Sequence, residues 1–338
     1  MPSTVGALFP STGNREDLLD IISVVDAKNC PVSSSIAKVG ADLNNPGLYS
    51  YQADSYNSPS FDGVVDSSDV SEFDDPTKNR VLLSARSQKF RRTIRVSDFQ
   101  MITDVAGVGK KKEMARGTAR AITELKRDVE AAICSDNDSQ EGSGSVPYKT
   151  RGLGAWIRAT QTSDLPVPTS QLTPSASIDN TATASLTESK LQDVLQSIYT
   201  QTGTTDRLVM VAGPALKKAI TNFTRFTVNS TSNVFNLRQT TQNADNGRLT
   251  SHVSFYEGDF SSVEIVPSLL LAANVSTDAE KHARGYIMNS DHLMLRYGRR
   301  PAFRELEDAG GGPRGLLDCI VSLAVMTPKA MAKLNASS

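Results

Sequence analysis

Apolar residues recur at helical spacing in several stretches of this chain and alternate with polar ones in others, and the two patterns divide it. Residues 1–14 show neither pattern and read as an extended arm. Asn14 then opens a helix, with Glu16 and Asp17 in its first turn and Leu18, Leu19, Ile22 and Val25 on one face. Pro31 ends it by removing a backbone donor and restricting Cys30. A longer helix of about 28 residues, roughly 40 Å at 1.5 Å per residue, is predicted downstream. Its stripe is Met114, Ala121, Ile122, Leu125, Val129, Ala132 and Ile133, with Arg120 and Glu124 as an i,i+4 pair on the polar side. Gly117 weakens it modestly and permits close approach of another backbone. A third helix follows the capping box Ser185-Leu186-Thr187-Glu188, with Leu191, Val194, Leu195, Ile198 and Tyr199 on one face and Gly203 past its end. Pro214 suits the first turn of a fourth helix.

Alternation marks strands in "LYSYQADSY" and "RTIRVSDF", and again in "HVSFYEG" and "SSVEIVPS", which are joined at Gly258-Asp259. "DRLVMVAG", "GYIMNS", "HLMLRYG" and "LLDCIVSLAVMTP" read as more buried strands, with a tight turn at Gly310-Gly311-Gly312-Pro313 before the last. Two Ser/Thr/Pro-rich stretches, "DNDSQEGSGSVPYKTRG" and "TQTSDLPVPTSQLTPSASIDNTATAS", flank the only tryptophan, Trp156, and read as surface loops. The class is α+β.

Charge alters this picture in one place. From Tyr51 to Thr77 every charged residue is acidic, namely Asp54, Asp62, Asp66, Asp69, Glu72, Asp74 and Asp75. From Lys78 to Ser97 every one is basic, namely Lys78, Arg80, Arg86, Lys89, Arg91, Arg92 and Arg95. Folded as a hairpin, the two limbs would attract each other. "NSPSFDGVVDSSDVSEFDDPTKN" holds too few apolar residues to make a core, so such an arm stays mobile or lies on a partner. Over the whole chain 36 basic residues face 37 acidic ones, a net charge of -1, which excludes a nucleic-acid binder held by bulk electrostatics.

Candidate chemistry is sparse. "TDVAGVGKKKEMARG" suggests a phosphate loop, but with Gly109-Lys110 as the G-K pair the first glycine of a Walker A loop falls at Asp104 and its hydroxyl at Lys111. The three cysteines, Cys30, Cys134 and Cys319, lack C-x-x-C spacing and read as buried thiols in a reducing compartment. His252, His282 and His292 stand in no ligand spacing, and no G-x-S-x-G surrounds a serine. No catalytic, cofactor or metal residue is assigned. The amino terminus lacks the features of a signal peptide, and no apolar run approaches the roughly 20 residues of a membrane span, so no membrane partner is expected.

The order of elements resembles the major capsid proteins of tailed bacteriophages with the Hong Kong 97 type fold: polar arm, charged hairpin, long helix, loop region, compact helix-and-strand domain, returning strand. "NREDLLDIIS", "YQADSY", "FRRTIRVSDFQMITDVAG", "ARAITELKRDVEAAI" and "GTTDRLVMVAGPALKKAITNF" are similar to passages of the phage major head proteins, with Tyr51 where that branch has tryptophan and Ala53 where it has threonine. The resemblance covers about residues 14–335. It implies an N-arm with a short helix over 1–47, an E-loop hairpin over 48–97, a peripheral domain with its spine helix over 98–184, an axial domain over 185–290, and return strands over 291–338.

The function so implied is structural. Copies would close as pentamers and hexamers into an icosahedral shell around double-stranded DNA, without sequence-specific binding, assembled in the host cytoplasm. Portal and decoration proteins are implied partners, and with no charged helical stretch ahead of the N-arm a separate scaffolding protein is expected. An encapsulin-like shell around cargo enzymes is the rival within this fold, but no cargo-loading or flavin motif is evident. A soluble hydrolase using the hairpin carboxylates is the rival outside it, and so polar a segment could not raise a pKa by burial. In the fold resembled, the E-loop reaches across a neighbouring subunit. The candidate contacts between subunits are therefore Asp69, Glu72, Asp74 and Asp75 on the acidic limb, Arg91 and Arg92 on the basic limb, and Lys110, Lys111 and Lys112 before the long helix, where the helix dipole makes a cation cluster seek an anion.

Overall fold

The computed structural model describes residues 29–40, 47–71, 73–161, 164–205, 207–223, 253–272, 274–275 and 277–335. The helix expected from Asn14, together with Glu72 and His252, lies outside the described residues. Pro31 begins a helix: α1 spans Pro31–Ser35 with proline at its first positions, where its missing N–H would have been unsatisfied anyway.

One half of the molecule is a four-stranded sheet with a helix on one face. β1 (Ala37–Gly40) pairs in parallel with β10 (Leu293–Leu306), and β10 pairs antiparallel with β11 (Arg314–Val325). β11 pairs antiparallel in turn with β4 (Gln88–Arg95), giving the order β1-β10-β11-β4. On β4, Phe90, Arg92 and Ile94 turn inward, while Lys89, Arg91, Thr93 and Arg95 are exposed. The long helix α3 spans Glu113–Ile133 and packs Ala121, Leu125, Val129 and Ile133 into this core, whereas Ile122 stays at the surface.

The helix contains the whole apolar stripe from Met114 to Ile133 but is shorter than the length of about 28 residues predicted. Gly107 and Gly109 have φ of 79° and 81° and Lys111 has φ 59°, so the chain turns before Glu113 and the helix has 21 residues. Upstream, the strand ends at Arg95, and Ser97-Asp98-Phe99 starts a short helix, α2 (Asp98–Ile102), whose first turn donates Gln100 N–H to Ser97 Oγ. Gly117 lets Ile94 approach: a Cβ there would lie 3.0 Å from the Ile94 Cγ2 methyl. Glu130, fully buried on α3, accepts the Val32 and Ser33 amides at 2.8 and 2.7 Å and ties α1 to α3.

The other half is a six-stranded sheet ordered β5-β12-β9-β6-β8-β7, comprising Ile178–Asp179, Ala332–Asn335, Arg284–Met288, Arg207–Ala212, Ser262–Pro267 and Phe255–Glu257. α5 (Glu188–Thr202) buries Leu191, Val194, Leu195 and Ile198 against Leu208, Met210, Ile265 and Ile287. Its N-cap is Thr187. Ser185 lies two residues upstream in a 3₁₀ turn, so the expected capping box is not formed. Gly203 closes the helix in the left-handed region at φ 66°, and Pro214 stands at the start of α6 (Pro214–Asn222). Leu195→Ala is expected to cost about 2–5 kcal/mol as a buried truncation, measured as a shift in urea midpoint. Unchanged stability would show that α5 does not anchor this core.

The stretch between the halves is not wholly surface loop. A short helix, α4 (Leu153–Trp156), and Ile157 are buried, and Trp156 is 1% exposed. Arg151, equally buried, is stacked 4.8 Å from the Trp156 ring and holds the flanking loops by their carbonyls. Gly154 admits no side chain, because a Cβ would fall 1.6 Å from Asp136 Oδ1.

Candidate subunit-contact surfaces

β2 (Leu48–Ala53) and β3 (Val81–Arg86) pair antiparallel, with Ala53 opposite Val81, and the described residues between them form neither helix nor strand. At its root Arg80 meets Asp54 at 3.7 Å, and Asn79 Nδ2 donates to Asn57 Oδ1 at 2.6 Å. Farther out the described hydrogen bonds are local, such as Ser68 to the Val65 carbonyl and Thr77 to Asp75. The Thr77 hydroxyl and amide hold the exposed Asp75 carboxyl below the usual carboxylate range. Large apolar side chains are left in solvent: Phe61 is 95% exposed and Phe73 88%, with Tyr56, Val64, Val65 and Val70 similarly open. An apolar patch of this extent on a chain's own surface marks a contact with something else.

The two limbs do not neutralise each other as the charge pattern suggests. Among the described residues only Arg80 and Asp54 pair across them; the other paired cations of the basic limb find carboxylates on the body. Arg86 donates to Asp164 at 2.8 Å and reaches Glu141 at 3.1 Å, and this hydrogen bonding holds the Asp164 carboxyl below its ordinary range. Arg92 forks onto Asp128 at 2.6 and 2.5 Å. The cause is register: β4 lies beside β11 and under α3, so its side chains meet those elements first. The acidic limb keeps its charge.

The predicted contact residues therefore separate. Asp69, Asp74 and Asp75 are exposed on the arm, and Glu72 lies outside the described residues. Arg91 is exposed on the outer face of the four-stranded sheet, whereas Arg92 is drawn into its pair with Asp128 on the opposite face. Lys110, Lys111 and Lys112 are exposed on the turn leading into α3, and among the described residues no ion pair joins them to the arm of their own chain.

A groove of ≈ 360 Å³ between α1, α3 and β10 is lined by Cys30, Lys38, Ile122, Lys126, Tyr297 and Cys319. Burial raises both thiols, Cys319 to about 12, so neither is a thiolate nucleophile at neutral pH. His292 Nδ1 is engaged with the Thr327 hydroxyl. Among the described residues no group of three His, Cys, Asp or Glu side chains could hold a metal ion, and no helix is long and apolar enough to cross a membrane.

No curated protein matches the chain. The family model described as SU10 major capsid protein matches residues 6–337. Among solved structures, a chain from Gordonia phage Cozz is 15% identical with a TM-score of 0.59, over 100% of this chain and 98% of that one. The capsid of a native GTA particle is 13% identical with a TM-score of 0.61, over 100% of both chains. The mature capsid of bacteriophage PhiM1 is 11% identical with a TM-score of 0.53, over 96% of this chain and 92% of that one. At such identities the likeness shows the fold, an α+β architecture of the Hong Kong 97 type over the full chain.

Proposed function

The chain belongs to the SU10 major capsid protein family, and from that membership we propose that its copies form the pentamers and hexamers of an icosahedral head around double-stranded DNA. As a major capsid protein it is a structural component of a virion and not an enzyme. The observation that carries the assembly reading is the arm of residues 54–80, which exposes aromatic and acidic side chains together and has no core of its own. In this reading 48–97 is the E-loop, 98–184 the peripheral domain with α3 as its spine, 185–290 the axial domain, 291–338 the return strands, and 1–47 the N-arm. Closed symmetry lets many modest contacts sum to a stable shell. A net charge of -1 suits a wall that holds DNA without gripping it, and portal, decoration and a separate scaffolding protein complete the set of proposed partners.

The purified chain should form large closed particles by light scattering and release nucleic acid on extraction when taken from infected cells. A stable monomer at high concentration would refute the reading, and particles with protein cargo instead of DNA would favour an encapsulated-enzyme shell. We further assign the Lys110–Lys112 turn as one anchor for the acidic arm of a second copy. Reversing Asp74 and Asp75 to lysine is expected to slow assembly, and adding Lys111→Glu and Lys112→Glu to restore part of it. Because exposed pairs contribute only about 0–1 kcal/mol each, the effect falls on assembly rate and salt dependence. Failure of the combined variant to recover, with folded subunits, would remove the turn as an anchor.

A further inference from the structure

The last residues of β11 outrun one of their neighbours. β4 accompanies β11 only as far as the pair of Gln88 and Val321, whereas β10 stays paired up to Val325. Leu323 and Val325 are buried, so their backbone groups on the abandoned side need partners. Side chains supply them. The Leu323 amide donates to Thr150 Oγ1 at 3.2 Å, and the Val325 amide donates to the Tyr51 hydroxyl at 3.0 Å. That hydroxyl in turn donates to the Val325 carbonyl at 2.7 Å, so one phenol serves both backbone groups of one residue. Burial raises the Tyr51 phenol above its ordinary range, and it keeps the proton that it donates.

Tyr51 belongs to β2, one of the two strands that carry the arm. The other strand, β3, is fixed at its end: only Ser87 separates it from β4, and the buried Arg86 is held by Asp164 and Glu141. The near end of β2 is held as well. The Ser87 amide donates to the Gly47 carbonyl at 2.9 Å, and the Arg296 guanidinium lies 3.8 Å from the centre of the Tyr49 ring. Tyr51 stands farther out, in the middle of the ladder that runs from Leu48 and Arg86 to Ala53 and Val81. Among the described residues, its hydroxyl makes the outermost hydrogen bonds between the hairpin and the body. Because a strand rises about 3.3 Å per residue, a tilt of about 10° at the near end of β2 would displace its far end by about 3 Å.

We propose that Tyr51 is a positioning residue, a latch whose hydroxyl sets the angle at which the arm leaves the body and thereby the curvature with which copies close. This role rests on the assembly reading above, in which the arm is a contact element. Repeated contacts close into a ring only when the rotation between copies is the right one, and otherwise run on as open arrays. The Tyr51 ring packs against the core beside Tyr49 and would do so without its hydroxyl. Apolar packing is non-directional, whereas a hydrogen bond weakens steeply as it bends. The hydroxyl therefore contributes direction, and it does so at the point on the ladder where the body's hold on the arm ends.

Two variants separate direction from stability. Tyr51→Phe removes the latch and keeps the ring, while Thr150→Val removes the neighbouring bond on the same edge of β11 and leaves the hairpin untouched. Each leaves a buried amide of β11 unpaired, so each should lower the urea midpoint. Only Tyr51→Phe is expected to speed amide exchange in β2 by about tenfold or more relative to β10. Only Tyr51→Phe should give particles of broadened diameter or open sheets by electron microscopy, and Thr150→Val should close at the unaltered size. In unaltered subunits the Val325 amide and the β2 ladder amides are expected to lose protection together, which decides the matter even where Tyr51→Phe fails to fold. The latch is overturned by uniform particles of unaltered diameter from Tyr51→Phe, or by equal broadening from both variants. It is also overturned if the β2 ladder opens about tenfold more readily than Val325 in the unaltered chain. Absence of particles from the unaltered chain would overturn the assembly reading, and the curvature role with it, while the exchange result would still show whether the hydroxyl holds the hairpin.

Discussion

Arg151→Met is expected to destabilise the subunit by about 3–5 kcal/mol, the cost of removing one partner from a buried charge cluster, and to leave little folded protein. The guanidinium is buried where the two halves of the chain are joined. Its Nε donates to Asp138 at 2.7 Å, and Nη2 reaches Ser139 Oγ at 3.2 Å and the carbonyls of Asp164 and Leu165 at 2.5 and 2.9 Å. Leu165 has φ 46°, in a region that branched side chains avoid, and the bond to its carbonyl helps to hold it there. Methionine would fill much of the volume against Trp156 yet take the cation from Asp138, which keeps only the Ser139 amide and hydroxyl, and the guanidinium donor from two inward carbonyls. Arg151→Lys should recover only a fraction, because an ammonium cannot serve these directions in one plane. Urea unfolding of dissociated subunits measures both variants. A loss below about 1 kcal/mol for Arg151→Met, the range of surface changes, would show that the loops are held by something else.

Why Arg151 escaped the sequence reading shows where such reading stops. Helices announced themselves through spacing and caps: α5 is legible from Leu191 to Gly203, and α6 from Pro214, because those signals are local. Strand partners are not local. β4 lies beside β11, more than two hundred residues away in sequence, which brings Lys89 to Asp318, and under α3, which brings Arg92 to Asp128. The segregation of charge was visible at once, but mutual neutralisation of the two limbs assumed that both belong to one free hairpin. The loop region misled through composition, its serines, threonines and prolines masking the apolar run Leu153–Ile157, which was the available sign of burial. The cluster of Lys89, Arg299 and Arg304 about Asp318 could not be read at all, since its members come from three strands brought together by the fold.

Replacing residues 58–77 with an Asn-Gly turn is expected to separate folding from assembly. The subunit should keep its stability to within about 0.5 kcal/mol, because the described contacts of this segment are local and Phe61 and Phe73 are solvent-exposed in the single chain. The β2–β3 ladder would close through a short loop made of residues 54–57, the Asn-Gly pair and residues 78–80, with Asp54, Arg80 and the Ala53–Val81 pair left in place. Shortening the loop also lowers its closure entropy slightly, which acts in the same direction. Assembly should fail outright, since the arm would take with it both the carboxylates proposed for the lysine turn of a second copy and the exposed aromatic side chains Phe61 and Phe73. Urea unfolding and light scattering on the same preparation read the two effects independently. Normal shells from the shortened chain would show that subunits bind through other surfaces, and a stability loss of several kcal/mol would show that the arm packs on its own body.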